Sequence, residues 1–81
     1  MNQTTERLVE QCRQAAQDGV EFPTIWEHIL RTHTLVASPP VRTFEDELSH
    51  LDVRLSNGYW LRYCVRSNDF SLRRANLHRA F

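Results

Sequence analysis

Residues 51–65 read LDVRLSNGYWLRYCV, two segments of alternating apolar and polar side chains separated by the pair Asn57-Gly58. Asn-Gly between alternating segments is the strongest short-range sequence signal for a β-hairpin. Because strand side chains alternate between the two faces of a sheet, a shift of one residue would exchange the whole apolar set with the polar set. The length of the loop therefore decides which face of the hairpin is buried.

A two-residue loop would place Leu55 opposite Trp60 and Val53 opposite Arg62, which mixes apolar and charged side chains on one face. A three-residue loop, Ser56-Asn57-Gly58 with a left-handed glycine, instead produces one wholly apolar face. That face consists of Leu51, Val53, Leu55, Tyr59, Leu61, Tyr63 and Val65. The opposite face pairs Asp52 with Arg62 and Arg54 with Trp60, a charge pair and a cation–π pair. The alternation therefore predicts the three-residue loop.

A third strand is predicted after the hairpin, because the turn signal Ser67-Asn68-Asp69 precedes the alternating segment Phe70-Ser71-Leu72. We expect an antiparallel meander with three strands, at about residues 49–55, 59–66 and 70–73. Residues 43–48, TFEDEL, fit either one acidic helical turn or a loop that leads into the first strand. Residues 74–81 are expected to form a basic tail.

Two helices are predicted before the hairpin, at about residues 5–18 and 23–33. Gly19 is suited to end the first helix, and the second begins with Pro23 and a capping box at Thr24–Glu27. At helical spacing, the first has an apolar stripe of Leu8, Val9, Cys12, Ala15 and Ala16. Since only a few residues separate the helices, we expect them to form an αα-hairpin.

These patterns predict an α+β fold in which an N-terminal αα-hairpin packs on a three-stranded antiparallel β-meander, as one domain of residues 1–81. The expected core consists of Leu8, Val9, Cys12, Ile25, Trp26, Ile29, Leu30, Val53, Leu55, Leu61, Tyr63 and Phe70. A chain of 81 residues buries only about 60–65% of the surface that it exposes when unfolded. We therefore expect no large enclosed active-site cavity.

The sequence lacks the motifs that would indicate an enzyme. It contains no C-x-x-C or H-x-x-x-H pair for a metal, and two glycines do not make a phosphate-binding loop. We therefore expect no catalytic residues, metal or cofactor. The alternative is thiol chemistry at Cys64, which the predicted register places opposite His50, since a neighbouring imidazolium lowers the pKa of a thiol.

The sequence also indicates a cytoplasmic protein. Residues 1–7 have neither a basic nor an apolar segment of the kind that begins a signal peptide, and no apolar run is long enough to span a bilayer. Cys12 and Cys64 are expected to be reduced thiols, with a disulfide between them as the alternative. We expect no association with a membrane.

Charge is distributed unevenly along the chain, although ten arginines and ten acidic residues give a net charge of zero. Residues 1–52 have four arginines and nine acidic residues, whereas residues 53–81 have six arginines and one. The two parts therefore have net charges of −5 and +5. Such asymmetry favours self-association or docking to a charged partner.

We expect a small non-enzymatic protein–protein interaction or regulatory module, with homodimerisation through its charged halves or an open sheet edge as one mode of association. Its expected binding surface is the polar sheet face and the arginines after it: Arg54, Trp60, Arg62, Arg66, Arg73 and Arg74. The alternative is nucleic-acid binding through the same arginines, which the isoelectric point near 6.9 disfavours. Leu77 or Phe81 in the tail would remove Trp60 from this surface by covering it.

Overall fold

The central hairpin forms with the predicted partners on both faces in the computed structural model, which describes residues 3–74. The three-residue loop is closed by a hydrogen bond of 2.9 Å that the Leu55 amide donates to the Tyr59 carbonyl. Gly58 has a φ of 91°, in the left-handed region that glycine enters without steric cost. The prediction of a three-residue loop is therefore confirmed.

The sheet has four strands rather than the expected three. They are β1 (Val41–Glu45), β2 (Leu48–Arg54), β3 (Tyr59–Cys64) and β4 (Asp69–Arg74). They pair antiparallel in the order β1-β2-β3-β4, so the α+β class and the meander are confirmed, while the strand number is wrong. Because β3 ends at Cys64, Val65 does not join the apolar face of the hairpin as expected; it lies in the turn to β4, and its side chain is exposed.

The additional strand β1 occupies the segment for which a helical turn or a loop was expected. A two-residue turn, Asp46-Glu47, connects it to β2, and both residues have positive φ values of 55° and 64°. Positive φ at both central residues is the geometry of a type I′ hairpin turn. The sequence marks this turn only weakly, because aspartate suits the first central position but Glu47 is not the glycine usually found at the second.

The first helix, α1, spans Gln3–Gln17 and ends as its sequence predicts. Gly19 has a φ of 87°, and its amide donates to the Ala16 carbonyl at 3.0 Å. The Val20 amide donates to the Ala15 carbonyl, also at 3.0 Å. These two hydrogen bonds form a Schellman motif, which satisfies carbonyl groups left unpaired at the end of the helix.

The second helical segment is less regular than its sequence predicts. It begins as a short α-helix, α2, at Phe22–Ile25 and continues as a π-helical turn at Trp26–Leu30. Pro23 lies in the first turn as expected. The residue that precedes the helix is Glu21, without a side-chain cap, and Thr24 lies inside the helix, so the predicted capping box does not form. The segment ends before residue 33, and its π-helical turn departs from the spacing of 3.6 residues per turn that the prediction of a regular helix assumes.

The core lies between the helices and one face of the sheet, which we call the inner face. It contains Leu8, Val9, Cys12, Ala16, Phe22, Ile25, Leu30, Val53, Leu55, Leu61, Tyr63 and Phe70. Phe22 was not expected there, yet its ring centroid lies 5.0 Å from that of Tyr63 and 6.1 Å from that of Phe70. Trp26 and Ile29, expected in the core, are only half buried.

Replacing Glu47 by glycine is expected to stabilise the protein by about 1 kcal/mol, because a residue with a Cβ pays roughly this much for a left-handed conformation. The increase should appear as a higher urea midpoint at unchanged m value. Glu47→Ala removes the same carboxylate but retains the Cβ, so it should gain nothing. Equal midpoints for the two variants would show that the turn is not strained.

Candidate binding surface

The face of the sheet turned away from the helices, which we call the outer face, presents polar and aromatic side chains from all four strands. The cross-strand partners place on it Val41, Thr43, Glu45, His50, Asp52, Arg54, Trp60, Arg62, Cys64 and Arg73. Four of the six predicted binding residues, Arg54, Trp60, Arg62 and Arg73, therefore share one face. This grouping follows from the register of the hairpin, since residues two apart in a strand point the same way.

A hollow of about 380 Å³ lies on this face and spans the sheet from β1 to β4. We call it the outer hollow; its lining residues are Val41, Thr43, Glu45, Asp52, Trp60, Arg62, Arg73 and Arg74. Val41 is 50% exposed, whereas Asp52 is buried and Trp60 half buried. The hollow therefore combines two apolar side chains, Val41 and Trp60, with charged groups.

Two carboxylates hold the guanidinium of Arg62. Its Nε and Nη2 donate to the two carboxylate oxygens of Asp52 at 2.9 and 3.0 Å, and its Nη1 donates to Glu45 Oε1 at 2.5 Å. The Thr43 hydroxyl adds a hydrogen bond of 3.1 Å to Asp52 Oδ2. The side chains of Arg62 and Asp52 are only 14% and 10% exposed, so this bidentate pair is largely withdrawn from solvent.

Glu45 extends the same arrangement to β4. Its Oε1 also accepts a hydrogen bond of 2.9 Å from Arg73 Nη1. The hydrogen bonds from Arg62, and then those from Arg73, hold the pKa of the Glu45 carboxyl below its ordinary value. The hydrogen bond to Asp52 is the main cause of a raised pKa for Arg62. We call Glu45, Asp52, Arg62 and Arg73 the outer-face network; its formal net charge is zero.

Arg66 and Arg74 are not on the outer face of the sheet, where the other four predicted binding residues lie. Arg66 lies in the turn between β3 and β4. Arg74 borders the outer hollow, but its partner in β3 is Tyr59 on the inner face, and its guanidinium carbon lies 5.4 Å from the centre of that ring. Within residues 3–74 this is the only cation–π contact, so Arg54 and Trp60 are cross-strand partners as predicted but do not form the expected cation–π contact.

Trp60 lies between two hollows. Besides the outer hollow, it lines a second one at the hairpin loop, together with Ala37, Arg54, Leu55, Ser56, Gly58 and Tyr59. Leu77 and Phe81, the alternative cover for Trp60, lie outside the described residues, as does the rest of the expected tail from residue 75 onward. The described part of the chain leaves the indole ring half buried.

Cys64 lies opposite His50 as the register predicts, but the imidazole is not what changes the pKa of its thiol. Hydrogen bonds from the hydroxyl and amide of Ser67 are the main cause of the lowered pKa of Cys64. In contrast, burial raises the pKa of Cys12 to about 12. Both cysteines are free, so the disulfide between them is not formed.

The positions of the ionisable side chains also bear on metal binding. Within residues 3–74, no group of three or more His, Cys, Asp or Glu side chains is arranged to hold a metal ion. Over the same residues, no helix has the length and apolar character needed to cross a membrane.

Comparison with family models, curated proteins and solved structures finds no match to this chain.

Replacing Asp52 by asparagine is expected to lower the free energy of unfolding by about 2 kcal/mol, because Arg62 loses a partner in a poorly hydrated site. Urea unfolding monitored by circular dichroism measures this loss. Asp18→Asn is the matched control: Asp18 is exposed and accepts a single hydrogen bond from Gln14, so its change should stay within about 0.5 kcal/mol. Equal losses in the two variants would contradict a structural role for Asp52.

The stabilisation contributed by Glu45 is expected to disappear in acid. Its folded-state pKa lies below the reference value of 4.5, so the contribution is complete above 4.5 and is lost as the pH falls through the folded value. The difference in urea midpoint between the wild type and Glu45→Gln should therefore shrink as the pH falls below 4.5. A difference that stays constant across this range would show that the carboxylate charge is not what stabilises the fold.

Proposed function

We propose that this protein is a non-enzymatic interaction module whose outer hollow receives a segment of a partner protein. The observation that carries the proposal is the placement of two accessible apolar side chains, Trp60 and Val41, beside a rigid group of hydrogen-bonding side chains. Protein interfaces commonly surround an aromatic anchor with polar groups that exclude water and fix orientation.

The outer-face network suits a polypeptide ligand because it is already ordered. Arg62 and Asp52 are held by each other, and their side chains therefore lose little conformational freedom when a partner binds. Glu45 and Arg73 have side chains about half exposed, which leaves polar atoms of both signs at the margin of the hollow. A neutral segment with one apolar side chain and flanking polar groups matches this surface.

The same contacts disfavour the nucleic-acid alternative. A phosphate would have to displace Glu45 or Asp52 from Arg62, whose side chain is 14% exposed. Nucleic-acid-binding proteins gain affinity from arginines that are free to contact the phosphates of the nucleic acid and displace its counterions. Of the predicted binding arginines, Arg54, Arg66 and Arg74 take part in none of the ion pairs formed among residues 3–74, and the guanidinium of Arg74 is hydrogen-bonded to the Tyr59 hydroxyl.

The proposal is tested by selecting peptides from a random displayed library on immobilised wild-type protein and measuring the affinity of the winners by calorimetry. Trp60→Ala is expected to weaken these peptides at least tenfold, because the truncation removes a central aromatic contact. Val65→Ala is the control: Val65 is also exposed and apolar, but it lies outside the outer hollow, so affinity should be unchanged.

A single-stranded oligonucleotide measured by fluorescence anisotropy provides the opposing arm. The proposal expects oligonucleotide binding to be weaker than that of the selected peptides and unchanged by Trp60→Ala. Tight binding that falls steeply with salt and is lost in the double variant Arg54→Ala, Arg66→Ala would overturn it in favour of nucleic-acid recognition. Selected peptides that bind Trp60→Ala as well as the wild type would also overturn it.

A further inference from the structure

Strand β1 forms an exposed edge of the sheet. In the part of the chain that the structure describes, it pairs with β2 alone, and four of its five residues are exposed. Two of these are apolar: Val41 is 50% exposed and Phe44 is 72% exposed. An edge strand with unpaired backbone groups and exposed apolar side chains is a template for pairing with another strand.

The tight turn at Asp46-Glu47 determines which backbone groups face this open edge. In a hairpin with a two-residue turn, the closing pair is a hydrogen-bonded one, and hydrogen-bonded pairs then alternate with pairs that are not. The odd-numbered residues of β1 therefore direct their amide and carbonyl groups toward β2. Arg42 and Phe44 direct theirs away from it, toward the open edge.

We propose that a second copy of this chain pairs with that edge, so that two β1 strands run antiparallel at the centre of one eight-stranded sheet. The two-fold axis is normal to the sheet and passes beside Thr43, which faces Thr43 of the second copy. Arg42 then lies opposite Phe44 of the second copy, and the reverse pair forms by symmetry. Each Arg42–Phe44 pair exchanges two backbone hydrogen bonds, which gives four in total.

The side chains at these positions are complementary in the same register. Arg42 and Phe44 belong to the inner-face rows of β1, so each guanidinium meets the exposed phenyl ring of the other copy as a cation–π pair. Arg42 is exposed and takes part in none of the ion pairs formed within residues 3–74. The charge and the ring that this contact needs are therefore both available on one strand.

The sequence before β1 sets the length of the interface. Pro40 immediately precedes the strand and has no amide hydrogen, so it cannot donate across the new edge. Pairing is thus confined to Val41–Glu45, which makes a small interface and a dimer that dissociates on dilution. The dimer uses the edge of the sheet and does not depend on a ligand in the outer hollow.

The register is tested by a single cysteine at the axis. In a Cys64→Ser background, Thr43→Cys places two thiols on a pair of residues that is not hydrogen-bonded, with Cα atoms about 4.5 Å apart, which a disulfide can bridge. Val41→Cys is the matched control on the same strand and face. Its two copies lie about 14 Å apart along the strands, beyond the reach of a disulfide.

Under copper-phenanthroline oxidation, Thr43→Cys is expected to form covalent dimers at least tenfold faster than Val41→Cys. Circular dichroism checks that each variant retains the fold, since Thr43 donates a hydrogen bond to Asp52. Equal rates for the two cysteines, or no dimer from a folded Thr43→Cys, would overturn the proposed register.

Sedimentation equilibrium of the wild type provides an independent readout. The mass should rise with concentration from 9.6 kDa toward twice that value. Phe44→Pro removes an edge-facing amide without removing a hydrogen bond to β2, so this variant should remain monomeric at the same concentrations. A wild type that stays monomeric at about 1 mM, where even weak specific dimers assemble, would overturn the dimer.

Discussion

The register between β2 and β3 is the constraint on which both faces of the sheet depend. With Leu55 bonded to Tyr59 across a three-residue loop, Val53 and Leu61 face the helices and are almost completely buried. The same alternation sends the charged partners of these strands to the outer face. A slip of one residue would place Arg62 against the core and expose apolar side chains to water, so burial and the outer-face network select the same pairing.

The outer face shows how a charge asymmetry in sequence becomes a neutral surface in the fold. Glu45 and Asp52 come from the acidic part of the chain, and Arg62 and Arg73 come from the basic part. Because β1 and β2 lie beside β3 and β4, these groups meet as hydrogen-bonded ion pairs. Arg62 and Arg73, which the sequence alone suggests as phosphate-binding residues, instead stabilise the sheet through these ion pairs. This neutralisation supports the proposal that the outer hollow receives a polypeptide rather than a nucleic acid.

Prediction from sequence succeeded where the determining interactions are close along the chain. The grouping of Trp60 with Arg54 and Arg62 followed from strand alternation, and the end of α1 followed from one glycine. The contact of Arg73 with Glu45 could not be predicted, because it depends on a strand that the sequence does not mark. The π-helical turn was missed as well, since helical spacing assumes 3.6 residues per turn throughout.

The sequence by itself determined the β2–β3 register and the α+β class, because alternation, loop length and glycine conformation act over a few residues. Only the tertiary structure decided that residues 41–45 become a strand, that Phe22 joins Tyr63 and Phe70 in the core, and that Arg62 and Arg73 are paired with carboxylates. These outcomes depend on partners up to 48 residues away in sequence. Such contacts form only when burial and hydrogen bonding across the whole sheet offset the local preferences of each segment.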